Sequence, residues 1–161
     1  MAKSKHISQT PATQWLDQHG VLYTEHVYNY ADHGGARHAA TELGLDPHRV
    51  AKTLIMENEH AIPLIVVMHG DQKVSVKNLA RQIGVKRVAP CSPDAAERHS
   101  GYQVGGTSPF ATRKKMAIWV EASLLEFDRI FVNGGRRGFL IGISPDTLTD
   151  LAGGHLINAA I

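Results

Sequence analysis

The sequence predicts an α+β domain in which helices flank a mixed, curved or barrel-like β-sheet. Three observations support this class. Apolar, β-branched segments outnumber helical segments and mostly follow one another through short turns. Helix starts of the Ser/Thr-Pro type recur, and glycines stand where helices are expected to end. The length of 161 residues, with 43% hydrophobic and 20% charged residues, suits one domain with one core, which we assign to residues 1–161.

The predicted helices are marked by their ends. Thr10-Pro11 combines a capping hydroxyl with proline at the first helical position, so a helix should run from there to about His19, before Gly20. The other predicted helices are 36–44 and 76–84, each ending at a glycine, and two that begin at Ser92-Pro93-Asp94 and Ser144-Pro145-Asp146.

The predicted strands are short and rich in β-branched residues. RVAKTLIM (49–56) and IPLIVVMH (62–69) surround the turn NEHA and predict a hairpin. A second hairpin is predicted for DRIFV and GFLIGI, because NGGRR between them supplies glycines where positive φ is needed. The remaining predicted strands are 21–28, 85–89 and a segment around AIWVEA.

Composition limits the partners and the location. No apolar run is long enough to span a bilayer, and MAKSKHISQTPATQW lacks an apolar signal segment, so we expect a cytoplasmic protein without a membrane partner. Cys91 is the single cysteine, which excludes an internal disulfide. Net charge is only +2, too low to coat nucleic acid by charge alone, yet the cations cluster. The clusters are Lys73 with Lys77, Lys86 with Arg87, Arg113 to Lys115, and Arg136 with Arg137, each of which is either a solvated face or a local contact for phosphates.

Several catalytic classes lack their motifs. The chain has no GxSxG nucleophile elbow and no phosphate-binding loop ending in GK[ST]. No two of its 10 histidines are spaced i, i+2 or i, i+4, so we expect no metal site built from a local motif and no cofactor. Cys91 precedes a proline-started helix, where it is either a nucleophile of lowered pKa or a small packed cysteine.

Lys52 is the first candidate site residue. In an extended segment it shares one face with Val50, Leu54 and Met56. If that face is the inner one, the ammonium needs an anion or a polar cavity, and otherwise the side chain reaches solvent past the rim.

The second candidate is the loop GYQVGGTSPF. Gly105-Gly106 permits close approach of the backbone, Pro109 stiffens the next turn, and Thr107 and Ser108 supply hydroxyls. Such a loop can direct N–H groups at an ester oxygen or a phosphate, or it can be a plain connection. Asn133-Gly134-Gly135 is either a second loop of this kind, on weaker grounds, or a simple hairpin turn.

The order of Tyr28, AATELGLDPHRVAKTLIM, GYQVGGTSPF and NGGRRG resembles the YbaK family of trans-acting aminoacyl-tRNA deacylases, from about Tyr23 to Leu151. The Lys-Thr pair followed at this separation by GY-x-VGG-x-SP is the specific part of the match. The family fold is a mixed sheet with flanking helices. Its members clear cysteine that prolyl-tRNA synthetase has wrongly attached to proline tRNA, and related branches remove alanine and other small residues.

The resemblance implies a site, residue by residue. Lys52 matches the family's essential lysine, Tyr28 its pocket tyrosine, and Gly105 and Pro109 the ends of its GxxxP loop. It implies aminoacyl-tRNA and prolyl-tRNA synthetase as partners. The assigned residues are Lys52, Gly105, Gly106, Ser108 and Pro109 for catalysis, Tyr28, Thr53, Thr107, Phe110, Gly134 and Gly135 for substrate binding, and Arg113, Lys114 and Lys115 for the tRNA backbone.

The chain departs from the family pattern at two places. Gly34-Gly35-Ala36 stands where many members have Phe-Gly, which removes an aromatic wall from the pocket. Ala111 stands where many members have glycine after Ser108-Pro109-Phe110.

The absence of a recognisable nucleophile suggests that the substrate supplies one. The thiol of cysteine is already a few per cent thiolate at neutral pH and can attack its own ester carbonyl. The protein then needs only to fold the substrate and to stabilise developing charge. Two alternatives are cleavage of alanyl- or another small aminoacyl-tRNA by water, and a non-catalytic module that binds tRNA or a synthetase.

Overall fold

The computed structural model describes residues 9–161, and residues 1–8 of the predicted domain and N-terminal segment lie outside the described part. The helices are α1 (Pro11–Gln18), α2 (Gly35–Leu43), α3 (Val76–Ile83) and α4 (Pro93–Ser100). The strands are β1 (Thr24–Val27), β2 (Ala51–Asn58), β3 (Pro63–His69), β4 (Val88–Pro90), β5 (Ala117–Glu121), β6 (Ile130–Asn133), β7 (Phe139–Ile143) and β8 (His155–Ile157).

The α+β class with a mixed sheet is confirmed, but the strands form two sheets. The larger sheet has the order β4-β2-β3-β5-β8, with β4, β2 and β3 antiparallel and β3, β5 and β8 parallel. The smaller sheet is antiparallel, in the order β1-β7-β6. A single bridge between Val50 and Phe131 joins the two, and residues 9–161 form no closed barrel.

Helix ends follow the predicted chemistry. Thr10 caps α1 and forms a reciprocal pair of hydrogen bonds with Thr13, and Ser92 caps α4. Gly44, Gly84 and Gly101 end α2, α3 and α4 in the left-handed conformation that glycine adopts without strain.

Some elements differ from the expected ones. Ser144-Pro145 starts no regular α-helix, and only a π-helical turn, Thr147–Leu151, follows it. The segment His155–Ile157 is a parallel edge strand. It was not predicted, because three residues are too few to show an alternating pattern of apolar and polar side chains. A 3₁₀ turn, Ala122–Glu126, follows β5.

The core lies in three clusters that meet at β2. One face of β2 packs with α1, the GYQVGGTSPF loop and the inner face of the smaller sheet. The other face packs with α3 at one end and with α2 at the other. Within residues 9–161, no helix combines the length and apolar character needed to cross a bilayer.

Candidate active site

One edge of β2 has a gap in its hydrogen bonding. The carbonyl of Arg49 accepts the N–H of Phe131 at 2.9 Å, and the carbonyl of Ile55 accepts the N–H of Cys91 at 3.1 Å. Beyond Ile55, β4 continues the pairing along the same edge. Between these two bonds, no strand lies opposite β2.

Ala51 and Thr53 face this gap with their backbone groups. Alternate residues of a strand direct their N–H and C=O groups to opposite edges, so both share the orientation of Ile55. The Thr53 hydroxyl oxygen is also buried, and it has no hydrogen-bond partner in the described chain. Unpaired polar groups at an open edge are suited to bind an extended ligand.

The gap opens into a cavity of about 390 Å³. Its lining is formed by the segment after β1, the start of α2, the start of β2 and two loops. The residues are Tyr28, Tyr30, Ala31, Asp32, His33, Gly35, Ala36, His38, Ala39, Val50, Ala51, Lys52, Thr53, Leu54, Val104, Gly105, Thr107, Asn133, Arg137 and Leu140.

Lys52 projects between two helices. Val50, on the same face of β2, packs against α2, whereas Leu54 and Met56 pack in the cluster that contains α3. Lys52 lies between these contacts along β2, and it lines the cavity. Of the two placements that the sequence left open for Lys52, a polar cavity or the rim, the structure has the residue lining a cavity.

The Lys52 ammonium is electrostatically unsatisfied. Burial lowers the pKa of Lys52 below that of a free lysine, Asp71 acts in the opposite direction, and Lys73 adds to the lowering. No carboxylate of residues 9–161 lies within ion-pairing distance of its Nζ atom. A half-buried cation of this kind favours a ligand that brings negative charge.

Two loops form the wall opposite β2 and are bonded to each other. Asn133 donates from its side chain to the carbonyl of Gly105 at 3.2 Å, and Arg137 donates from Nε to the carbonyl of Val104 at 2.8 Å. The Arg137 guanidinium lies over the Tyr30 ring, 4.8 Å from its centre. Gly105 has φ +89°, and a Cβ there would lie 2.7 Å from the Tyr30 hydroxyl, so the approach of these groups requires glycine.

Five of the predicted site residues meet in the cavity: Tyr28, Lys52, Thr53, Gly105 and Thr107. Tyr28 is fixed by its N–H, which donates to the carbonyl of Gly138, and burial raises the pKa of its hydroxyl.

The other predicted residues of the GxxxP loop support the cavity from behind. Ser108 is fully buried, and its hydroxyl accepts the N–H of Phe110. Phe110 stacks on Trp15, with ring centres 5.1 Å apart. Pro109 is buried, and Gly106 packs against the backbone of Arg136, where a Cβ would lie 2.7 Å away.

Gly134 and Gly135 also lie outside the cavity lining. Gly134 packs on the ring of Phe139 and its carbonyl accepts the Thr10 hydroxyl, whereas Gly135 has φ +109° in the turn. Their role in the structure is to shape the turn that places Asn133.

Arg113, Lys114 and Lys115 are exposed and do not line the cavity. The N–H groups of Arg113 and Lys114 bond to the carbonyls at the end of α4, which leaves the cationic side chains in solvent.

The structure bears on both departures from the family pattern. The aromatic surface of the cavity comes from Tyr28 and Tyr30, beside the glycine at position 35. Ala111 has φ 56°, a left-handed conformation that glycine, the residue of many members at this place, adopts with less strain.

Cys91 is not activated. Burial, followed by the nearby Glu57 carboxylate, raises the pKa of its thiol to about 11, and Cys91 does not line the cavity. A protonated thiol at neutral pH is a poor nucleophile.

Sequence reasoning missed Tyr30, Asp32, His33, His38 and Arg137 as cavity residues. Each is an isolated polar or aromatic residue in a loop or on a short helix. No spacing rule marks such residues, because only the fold brings them to one cavity.

A cluster of His48, His69 and Asp71 was missed for the same reason. Its ligand atoms lie within 4.8 Å of one another, so it is a candidate metal centre. However, the two imidazoles are stacked, with centres 3.7 Å apart and planes 3° apart, so their in-plane lone pairs cannot meet at one ion. His69 donates from Nδ1 to the carbonyl of His48 and bonds through Nε2 to Ser123.

In the structure, these three residues form a hydrogen-bond network. His48 donates from Nδ1 to the Asp71 carboxylate at 3.0 Å. Burial opposes ionisation of Asp71, but the hydrogen bond and charge of His48 lower its pKa below the usual range.

Comparisons with known proteins show the family to which the chain belongs. Residues 34–151 match the model of the aminoacyl-tRNA editing domain family. The chain belongs to this family. EbsC of Enterococcus faecalis, provisionally named a Cys-tRNA(Pro)/Cys-tRNA(Cys) deacylase, is 31% identical over 156 residues, which are 96% of this chain and 95% of EbsC.

Two further proteins are similar to this chain, one in its fold and one over part of its sequence. A solved structure, described provisionally as a trans-editing enzyme for prolyl-tRNA synthetase, has a TM-score of 0.80 at 18% identity and covers 96% of this chain and 99% of its own, which shows the shared fold. The proline–tRNA ligase of Limosilactobacillus fermentum is 24% identical over 90 residues, 53% of this chain and 16% of that enzyme.

Replacing Lys52 by methionine tests its charge while keeping the length of the side chain. If its cation stabilises charge in the transition state, we expect aminoacyl-tRNA deacylation to fall by about 10²-fold or more. Thermal unfolding should show equal or higher stability, since the pKa of Lys52 is lowered in the folded state and its charge is therefore unfavourable there at neutral pH. Near-normal turnover by the folded variant would remove Lys52 from the chemistry.

Thr53→Val tests the unpaired hydroxyl with an isosteric change. The melting temperature should stay the same or rise, because a buried oxygen without a partner is replaced by a methyl group. The value of kcat/KM should fall by up to about tenfold if the hydroxyl bonds the substrate. Thr53→Ser, which keeps the oxygen, should retain activity, and equal losses in both variants would indicate a packing role only.

Proposed function

We propose that this editing domain acts in trans and cleaves the ester of Cys-tRNA(Pro), and also of Cys-tRNA(Cys). The observation that supports it most is the juxtaposition of Lys52 with the open edge of β2 in one cavity. The provisional name of EbsC favours cysteine as the amino acid removed.

The aminoacyl ester would lie along the gap in β2. The backbone groups of Ala51 and Thr53 and the Thr53 hydroxyl can bind the amino acid, whose size the cavity of about 390 Å³ exceeds, leaving room for the terminal ribose. The Gly105–Thr107 side of the cavity would receive the terminal adenosine. Lys52 would bind a phosphate of the terminal nucleotides or stabilise the negative charge that develops on the ester carbonyl oxygen. The role of Gly106, Ser108, Pro109, Phe110, Gly134 and Gly135 is to position these groups from behind.

The nucleophile is the thiol of the substrate. Its sulfur forms a bond to the ester carbonyl carbon, and the bond from that carbon to the ribose oxygen breaks. The thiol proton is released, the ribose oxygen takes up a proton, and water opens the strained cyclic thioester to give free cysteine. The cavity lining contains no cysteine and no serine, and the hydroxyl of Thr53, one of its two threonines, has no hydrogen-bond partner that could activate it as a nucleophile.

Asp32 and His33 favour a second candidate. Both line the cavity and can position or deprotonate a water molecule, which would allow cleavage of alanyl- or another small aminoacyl-tRNA. This chemistry does not depend on a thiol.

The proposed partners are aminoacyl-tRNA and prolyl-tRNA synthetase, in the cytoplasm. The likeness to a segment of a proline–tRNA ligase supports the association, because a domain built into one synthetase can act beside another as a separate chain. The exposed Arg113, Lys114 and Lys115 are proposed to contact the tRNA backbone.

Substrates that differ only at the thiol test the proposed chemistry. In single-turnover assays at saturating enzyme, seryl-tRNA and S-methylcysteinyl-tRNA should react far more slowly than cysteinyl-tRNA, because neither supplies a thiolate. Hydroxylamine should trap a cyclic thioester from cysteinyl-tRNA only. Comparable rates for cysteinyl- and S-methylcysteinyl-tRNA would instead support attack by water.

A further inference from the structure

The segment 72–93 has an unusual charge composition. It contains five cations, Lys73, Lys77, Arg81, Lys86 and Arg87, and no aspartate or glutamate. The other 12 cations share the rest of the chain with all 15 carboxylates. Although the net charge of the chain is only +2, its charges are unevenly distributed, and this segment is strongly basic.

Four of these cations line a single groove between α3 and β4. Lys77 and Arg81 lie on α3, and Lys86 and Arg87 lie just before β4. The rest of the lining is small and apolar, and consists of Val76, Ala80, Val85 and Val88. No carboxylate lines this groove.

The four cations lack anionic partners. None of them forms an ion pair in the described chain, and the Arg81 guanidinium bonds only to the neutral side chain of Asn78, at 2.8 Å. The nearby Glu59 carboxylate accepts the backbone N–H of Lys86 at 3.1 Å rather than a cationic group. Four like charges on one groove repel one another, so their arrangement favours a polyanionic ligand.

The groove lies on the same side of the larger sheet as the Lys52 side chain. Lys52, Leu54 and Met56 share one face of β2, and α3 covers that face where Leu54 and Met56 pack. β4 pairs along the same edge of β2 as the gap at Ala51 and Thr53.

The distance from the gap to the groove suits a nucleic acid strand. Asn58 pairs with Val88 of the groove, five residues along β2 from Thr53. Five residues of strand span about 17 Å, which is the rise of about five stacked bases at about 3.4 Å each.

We propose that the α3–β4 groove binds the phosphate backbone of an RNA whose 3′ end occupies the Lys52 cavity. The proposal rests on the proposed function, which places an aminoacylated RNA terminus in that cavity. A row of phosphates matches an extended groove of unpaired cations better than an acidic protein does, because a protein surface interrupts its carboxylates with neutral groups.

Binding of deacylated proline tRNA over a KCl series tests the groove without any catalytic step. Replacing Lys77, Arg81, Lys86 and Arg87 together by glutamine should reduce the slope of log K against log[KCl] by about 3, since each lost phosphate contact contributes roughly 0.7–0.9. The smaller variant Lys86→Gln with Arg87→Gln should reduce it by about 1.5. Thermal unfolding should show that both variants are folded, because they relieve repulsion.

The matched control removes two cations at the other end of β2. Arg49→Gln with Arg129→Gln affects residues that flank Asp128 and that do not line the groove, and it should leave the slope unchanged. An unchanged slope in either folded groove variant would overturn the proposal. So would intact tRNA binding combined with loss of binding to purified prolyl-tRNA synthetase, which would identify a protein ligand.

The outcomes separate this proposal from the proposed function. If wild-type protein deacylates no aminoacyl-tRNA but the groove variants show the reduced slope, the function fails and the RNA surface stands. If wild-type protein deacylates Cys-tRNA(Pro) and the groove variants bind tRNA as it does, the surface fails and the function stands. The same slope, measured for a variant in which Arg113, Lys114 and Lys115 are all replaced by glutamine, reports separately on phosphate contacts of those three residues.

Discussion

The interruption of hydrogen bonding along one edge of β2 is the constraint on which the rest of the site depends. A strand edge whose N–H and C=O groups are unpaired is normally covered or blocked in a folded protein. Here Phe131 bonds on one side and Cys91 on the other, so the open length is limited to the groups of Ala51 and Thr53. A short open edge favours binding of one extended small ligand over pairing with another strand.

The surrounding structure keeps this edge open and surrounds it with polar groups. The loops that contain Gly105 and Asn133 are bonded to each other, and buried residues such as Ser108 fix them from behind. On β2, Lys52 lies between the residues that pack with α2 and those that pack with α3, and it lines the cavity without an ion-pair partner in residues 9–161. The site therefore combines unpaired backbone groups, an unpaired hydroxyl and an unpaired cation in one place.

The sequence predicted the parts of this structure that depend on local signals. The caps at Thr10 and Ser92, the β2–β3 and β6–β7 hairpins and the face of Lys52 all follow from residues close together in the chain. The division into two sheets and the parallel strand β8 could not be predicted, because they depend on long-range pairing. Ser108 and Phe110 matched the motif but lie in the core, since a motif does not distinguish a residue that touches substrate from one that supports it.

Hydrogen exchange at the open edge tests the central claim most directly. An amide-linked analogue of cysteinyl-adenosine, which resists cleavage, should bond to the edge and slow exchange of the Ala51 and Thr53 amides by at least about tenfold at saturation. The amide of Glu57, already paired with β4, serves as the internal control and should not change. Saturable binding of the analogue with unchanged exchange at Ala51 and Thr53 would contradict the assignment of this edge as the substrate site.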